Sequence, residues 1–169
     1  MPFYLKPRDL SADVANVRSA LIVPCRFCPP ASFAVREKRP FIDLFRSFLK
    51  TAAYEEHIRA LRSELSQVGV ETAVFDSRLA PDLIVCMWTA GRRERLRRRA
   101  RSFDAVVVLG CDAAVRTAEG CTENSSCRVV RGLEIEGLMN VIPRFRFPGT
   151  ISLELSSVTR VLEYPPAQA

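Results

Sequence analysis

The stretch "DAVVVLGCDAAVRTAEG", residues 104–120, decides the fold. Ala105 to Leu109 form an unbroken apolar run of strand length, the pattern of a strand covered on both faces. Gly110 and Cys111 interrupt the run, and Asp112 offers a cap to a helix that ends before Gly120. A buried strand that turns at once into a helix is the repeating unit of a parallel α/β sheet.

Working outward, residues 20–25, 70–75, 83–88 and 150–155 are further apolar runs of strand length. Helical patterns lie between them. Phe41, Leu44, Phe45, Phe48 and Leu49 follow i, i+3, i+4, i+7, i+8 spacing, and Tyr54, Ile58, Leu61, Leu65 and Val68 step by four and three. Glu55 and Arg59 add an i, i+4 pair, and Gly69 supplies a stop. The expectation is one α/β domain over residues 1–169, doubly wound around a single, mostly parallel sheet, flavodoxin-like or Rossmann-like in architecture.

Three segments fit less well. Only "SRLAPD" (77–82) separates the second and third apolar runs, too short for a helical crossover between parallel neighbours. Residues 81–101 therefore read alternatively as one helix beginning at Pro81, although strand then helix is preferred. The connection from Arg26 to Phe41, with three prolines, reads as a long loop. The segment "RVVRGLEIEGLMNVIPRFRFPG" (128–149) reads as a lid, an interface or plain connection, and the tail "YPPAQA" as a frayed end.

At 48% apolar and 26% charged the composition is that of an ordinary globular domain. The longest apolar stretches fall short of the roughly 20 residues needed to cross a bilayer. Asp9, Asp13 and Arg18 interrupt the region where a signal peptide needs apolar continuity, so the expected location is cytoplasmic, with no membrane association. The net charge of +6 is local: "RRERLRRRAR" (92–101) holds Arg92, Arg93, Arg95, Arg97, Arg98, Arg99 and Arg101 against one glutamate, and accounts for all of it. On a helix with Leu96 and Ala100 turned inward, these arginines form a basic face suited to an acidic partner. Nucleic acid is disfavoured, because interleaved aromatics and RNA-binding signatures are absent.

In a reducing compartment, six cysteines are free, catalytic or metal-bound rather than disulfide-paired. Cys25 and Cys28 have C-x2-C spacing and follow the first strand, where ligands of parallel sheets gather. Pro29 directly after Cys28 echoes the Cys-Pro ending of some ferredoxin cluster loops. A thioredoxin-like reading fits less well, since that site opens a helix and Pro29–Pro30 read as loop. Cys111, at a strand-to-helix turn, gains thiolate character from the helix N-terminus, with Asp112 partly opposing it. Cys86 reads as core, and Cys121 and Cys127 flank the polar stretch "TENSS". His57, the only histidine, borders an apolar stripe and reads as packing.

The glycine-rich fingerprints of nucleotide binding, a G-x-S-x-G elbow and a histidine pair are all missing from the sequence, which leaves sulfur as the chemistry. The leading expectation is an iron–sulfur or zinc centre held by Cys25, Cys28 and Cys111, with Cys86, Cys121 or Cys127 completing the ligand set, working in redox or electron transfer with a redox protein partner. In architecture alone this resembles cluster-bearing flavodoxin-like subunits of hydrogenases and respiratory complexes, without their pattern of adjacent ligands. A second expectation is a cofactor-free thiol enzyme in which Cys111 attacks and Cys25 or Cys28 resolves. A third is an interaction module that docks an acidic partner or nucleic acid through the arginine helix.

Overall fold

The computed structural model describes residues 2–44, 50–75, 83–123 and 125–160. The chain runs β1 (Phe3–Pro7), α1 (Ser11–Val14), β2 (Ser19–Pro24), α2 (Cys28–Arg36), β3 (Ile42–Asp43), α3 (Ala52–Gln67) and β4 (Glu71–Val74). A 3₁₀ turn (Val85–Met87) precedes α4 (Ala90–Ala100), β5 (Ala105–Leu109), α5 (Asp112–Thr122), β6 (Arg128–Arg131), β7 (Leu133–Arg146) and β8 (Thr150–Thr159).

Four strands form a parallel sheet in the order β4-β2-β5-β6. Its centre is the all-apolar pair expected from sequence, with Ala20 beside Ala105, Leu21 beside Val106 and Ile22 beside Val107. Because side chains alternate along a strand, the two faces take different partners. Ala20, Ile22, Ala105, Val107 and Leu109 pack with Tyr54, Ile58, Leu61 and Leu65 of α3. Leu21, Val23, Val106 and Val108 pack with Leu96 and Ala100 of α4 and with Ala114, Val115 and Ala118 of α5. Both faces are thus dry, which is why these strands read as continuous apolar runs.

The expectation of one mostly parallel sheet needs correction. The fold is mixed α/β, and the described residues form a second, antiparallel sheet in the order β1-β7-β8-β3. The segment 128–149 is neither lid nor plain connection: it supplies β6 and then β7, which pairs with β1 and with β8. The chain changes sheets at Gly132, whose N–H donates to Val108 O at 2.9 Å. A Cβ at this glycine would stand 2.6 Å from Leu109 Cδ2 and 3.1 Å from Val108 O, so only glycine fits the crossing. Pro143 is tolerated in β7 because β1 pairs only as far as Leu138, and among the described residues no strand lies on that side of Pro143.

Other expectations shift as well. Residues 83–88 are not a strand: Val85–Met87 form a 3₁₀ turn with Val85 buried and Met87 exposed, so α4 crosses directly from β4 to β5. That removes the problem of the short connection. The alternative helix start at Pro81 lies outside the described residues, and α4 begins instead at Ala90, with Thr89 Oγ1 accepting from Arg92 N at 3.4 Å. The run at 41–49 is not helical in its described part, since Ile42 and Asp43 pair with β8; residues 45–49 lie outside the described residues, as does the tail from 161. The run at 150–155 is a strand, but of the antiparallel sheet.

The largest local correction is α2. Its prolines, Pro29 and Pro30, sit in the first helical turn, where a missing N–H costs nothing and the fixed φ already suits a helix. Ser32 fastens α2 to the antiparallel sheet by accepting from Leu5 N at 3.0 Å and donating to Phe3 O at 2.9 Å. No described helix is long and apolar enough to cross a membrane.

Candidate thiol site

The chain leaves β2 toward one side of the parallel sheet and reaches β5 on the other, so their carboxyl ends bound the crevice where the strand order reverses. Cys25 follows β2, Cys28 opens α2, and Cys111 is the second of the two residues between β5 and α5. All three meet at this edge. Cys25 N donates to Leu109 O at 2.9 Å, which ties the β2 end to the β5 end. A Cβ on Gly110 would come within 3.3 Å of Cys25 Cβ and 2.6 Å of Ala114 Cβ, so the turn into Cys111 runs hard against Cys25.

Two of the thiols act on each other: Cys28 and Cys111 lie close enough for each to shift the other's titration. The neighbouring Cys28 thiol is the main reason that the Cys111 pKa falls below the ordinary thiol value, against the opposing effect of burial. Cys111 is the N-cap residue of α5, and although no capping hydrogen bond closes, the N–H groups of Ala114 and Ala113 further favour negative charge on its sulfur. The same neighbour, together with burial, pushes Cys28 up. Within the pair, negative charge is therefore favoured on Cys111 over Cys28. Asp112, expected to oppose that thiolate, is engaged by Arg131.

Cys25 is in a different condition. Burial raises its pKa, while the N–H groups of Val85 and Phe27 are directed at its sulfur and work the other way. Tyr54, fully buried on α3, donates its hydroxyl to Leu109 O at 3.1 Å, the same carbonyl that accepts from Cys25. Sequence reasoning assigned Tyr54 only to an apolar stripe; its signal was a single polar atom on an otherwise apolar face. Glu55, next to Tyr54, pairs with Arg26 of the C-x2-C loop.

The remaining cysteines divide. Cys86, read as core, is exposed on the 3₁₀ turn, beside the Val85 whose N–H faces the Cys25 sulfur. Cys121 and Cys127 are not at this edge, because α5 carries the chain back to the amino ends of the strands. There Cys127 directly precedes β6, Arg128 N donates to Asp104 O at 3.1 Å, and Cys121 packs near Arg93 and Arg97. Burial raises the pKa of both, that of Cys127 to about 11. Their expected part in a shared ligand set therefore has no geometric basis. Among the described residues, no three His, Cys, Asp or Glu side chains are placed to hold one metal ion. His57 is packing, its ring stacked on Phe33 at a centroid distance of 4.5 Å and its pKa lowered by burial.

The arginine helix also differs in detail from its expected form. Leu96 and Ala100 face inward as read, but Arg92 joins them at 5% exposure, its guanidinium 4.1 Å from the Phe75 ring centroid and 5.2 Å from that of Trp88. The basic face is built from the other arginines, among which Arg97 pairs with Glu94.

No protein family, curated protein or solved structure matches the chain.

Proposed function

We propose that this chain is a cofactor-free thiol–disulfide oxidoreductase in which Cys111 is the attacking thiolate and Cys28 the resolving thiol. The observation that carries the reading is that Cys28, opening α2, and Cys111, capping α5, are neighbours at the switch point of the parallel sheet. A strand order of second-first-third-fourth is the flavodoxin-like one, and it supports a functional site at that edge.

The chemistry follows from the pair. Cys111 S⁻ attacks one sulfur of a disulfide, a bond forms between the two sulfurs, and the other sulfur leaves as a thiolate that is protonated from solvent. Cys28, once deprotonated, attacks Cys111 Sγ, expels the second half of the substrate as a thiol, and leaves a Cys28–Cys111 disulfide. One substrate disulfide is reduced to two thiols while two protein thiols are oxidised to one disulfide. An external dithiol returns the pair to its reduced state.

Insulin reduction with dithiothreitol as terminal reductant tests this reading. The wild-type chain accelerates precipitation of the freed insulin chains, Cys111→Ser and Cys28→Ser do not, and Cys127→Ser behaves as wild type. A Cys111→Ser chain as active as wild type contradicts it. The metal-centre expectation is tested on anaerobically purified protein: iron or zinc at one equivalent per centre, lost on replacing Cys25, Cys28 or Cys111, is the result that replaces the thiol mechanism.

A further inference from the structure

The reactive pair is buried, with Cys28 at 8% and Cys111 at 6% exposure, and Cys25 beside them at 3%. An external disulfide of any size therefore needs a route to Cys111. Two turns meet over this edge. Arg26 N donates to Leu83 O at 2.8 Å, and Val85 N–H faces the Cys25 sulfur, so the segment carrying Cys86 is docked on the C-x2-C loop. Cys86 is the exposed thiol of the six. Cys25 thus touches both sides: its Cβ lies against the Gly110 turn that leads to Cys111, and its sulfur lies under the turn that carries Cys86. Phe27 and Met87, 51% and 71% exposed, belong to the same two turns and give the entrance an apolar surround.

We infer that Cys86 is the outer thiol of a relay in which oxidising equivalents pass from an external disulfide to Cys86, then to Cys25, and then to the Cys28–Cys111 pair. The relay rests on the thiol–disulfide reading of that pair and changes its first step: the disulfide that Cys111 attacks is the one carried inward by Cys25, not the external one. Cys86 thiolate attacks the external disulfide, forming a mixed disulfide and releasing one thiol. Cys25 attacks Cys86 Sγ, forming a Cys25–Cys86 disulfide and releasing the second thiol. Cys111 thiolate then attacks Cys25 Sγ and frees Cys86, and Cys28 attacks Cys111 Sγ and frees Cys25. The sum is one external disulfide reduced to two thiols and one Cys28–Cys111 disulfide formed, with Cys86 and Cys25 returned as thiols.

Oxidised glutathione, added to the fully reduced full-length chain, is the probe, and peptide mapping after acid quench and alkylation is the readout. The wild-type chain accumulates a Cys28–Cys111 disulfide, and Cys86→Ser forms it at least about tenfold more slowly, since direct entry to a buried sulfur is obstructed. Cys25→Ser accumulates glutathione on Cys86 and stops there. Because Cys86 is exposed, its replacement by serine leaves the fold intact, which far-ultraviolet circular dichroism verifies. A Cys86→Ser chain that forms the inner disulfide at the wild-type rate overturns the relay and leaves the inner pair standing. A wild-type chain in which Cys86 is glutathionylated and no Cys28–Cys111 disulfide ever appears overturns both.

Discussion

Replacing Cys28 by alanine removes the neighbouring thiol that does most to lower the Cys111 pKa and leaves the amides of Ala113 and Ala114 in place. In the wild-type pair the Cys111 pKa is held down to about 6; without Cys28 it moves toward the ordinary thiol value of about 8.5. Between those limits the thiolate fraction at pH 5.5 drops from about 0.24 to about 0.001. The more basic sulfur is also the stronger nucleophile, by about 13-fold for a Brønsted slope near 0.45. These effects oppose each other, so alkylation of Cys111 in the variant is about 18-fold slower at pH 5.5, about twofold slower at pH 7 and about tenfold faster at pH 9. The remaining helix amides make these upper limits. Rates of iodoacetamide labelling at Cys111, followed by peptide mass spectrometry across pH 5 to 9, give the two profiles. Profiles that cross near neutral pH support the lowering of the Cys111 pKa by Cys28. Profiles that differ by a constant factor at every pH refute it, because a change in access alone scales all rates equally.

Other consequences are simpler to read. Gly132→Ala forces a methyl group into Leu109 and the Val108 carbonyl at the crossing between sheets, and chemical denaturation should show a loss of about 1–3 kcal/mol. Tyr54→Phe keeps the ring packing and removes one donor to Leu109 O; since Cys25 N still serves that carbonyl, the loss should sit near the low end of about 0.5–1.5 kcal/mol. On α4, heparin binding should be salt-sensitive and weakened by replacing Arg97, Arg98 and Arg99 with glutamine, while Arg92→Gln should lower the melting temperature instead, because Arg92 is stacked on Phe75 and Trp88 in the interior.

The parallel half of the fold was legible because its residues agree at every level. In 104–120 the apolar run, the turn and the helix pattern all name the same unit, and contacts close along the chain finish it. The antiparallel half was not, because its evidence is distant in sequence: β1 pairs with β7, and all four strands of the parallel sheet lie between them along the chain. Within β7 the alternation of Leu133, Glu134 and Ile135 is broken where the register shifts opposite Tyr4 and Leu5, so no single period survives across the strand.

The candidate site divides in the same way. That Cys25, Cys28 and Cys111 converge followed from two buried parallel strands ending on one edge, a deduction that topology alone permits. Helix α2 was misread because a proline pair is compatible both with a loop and with a first helical turn, and what selects the turn is Ser32 gripping β1, a contact invisible in local sequence. With that helix in place, the objection to a dithiol site at its start disappears. Cys121 and Cys127 could join the others only if the polar stretch between them folded back to the same edge, whereas α5 carries them to the opposite one.

The Cys28–Cys111 pair is tested most directly by its redox equilibrium. The reduced chain is equilibrated with a dithiothreitol redox buffer over a series of ratios, quenched in acid and mapped without reduction. A single two-electron transition that ends in a Cys28–Cys111 disulfide, with Cys121 and Cys127 still free, is the predicted result. Oxidation that joins Cys25 to Cys28 at equilibrium, or that leaves Cys111 a free thiol, contradicts it.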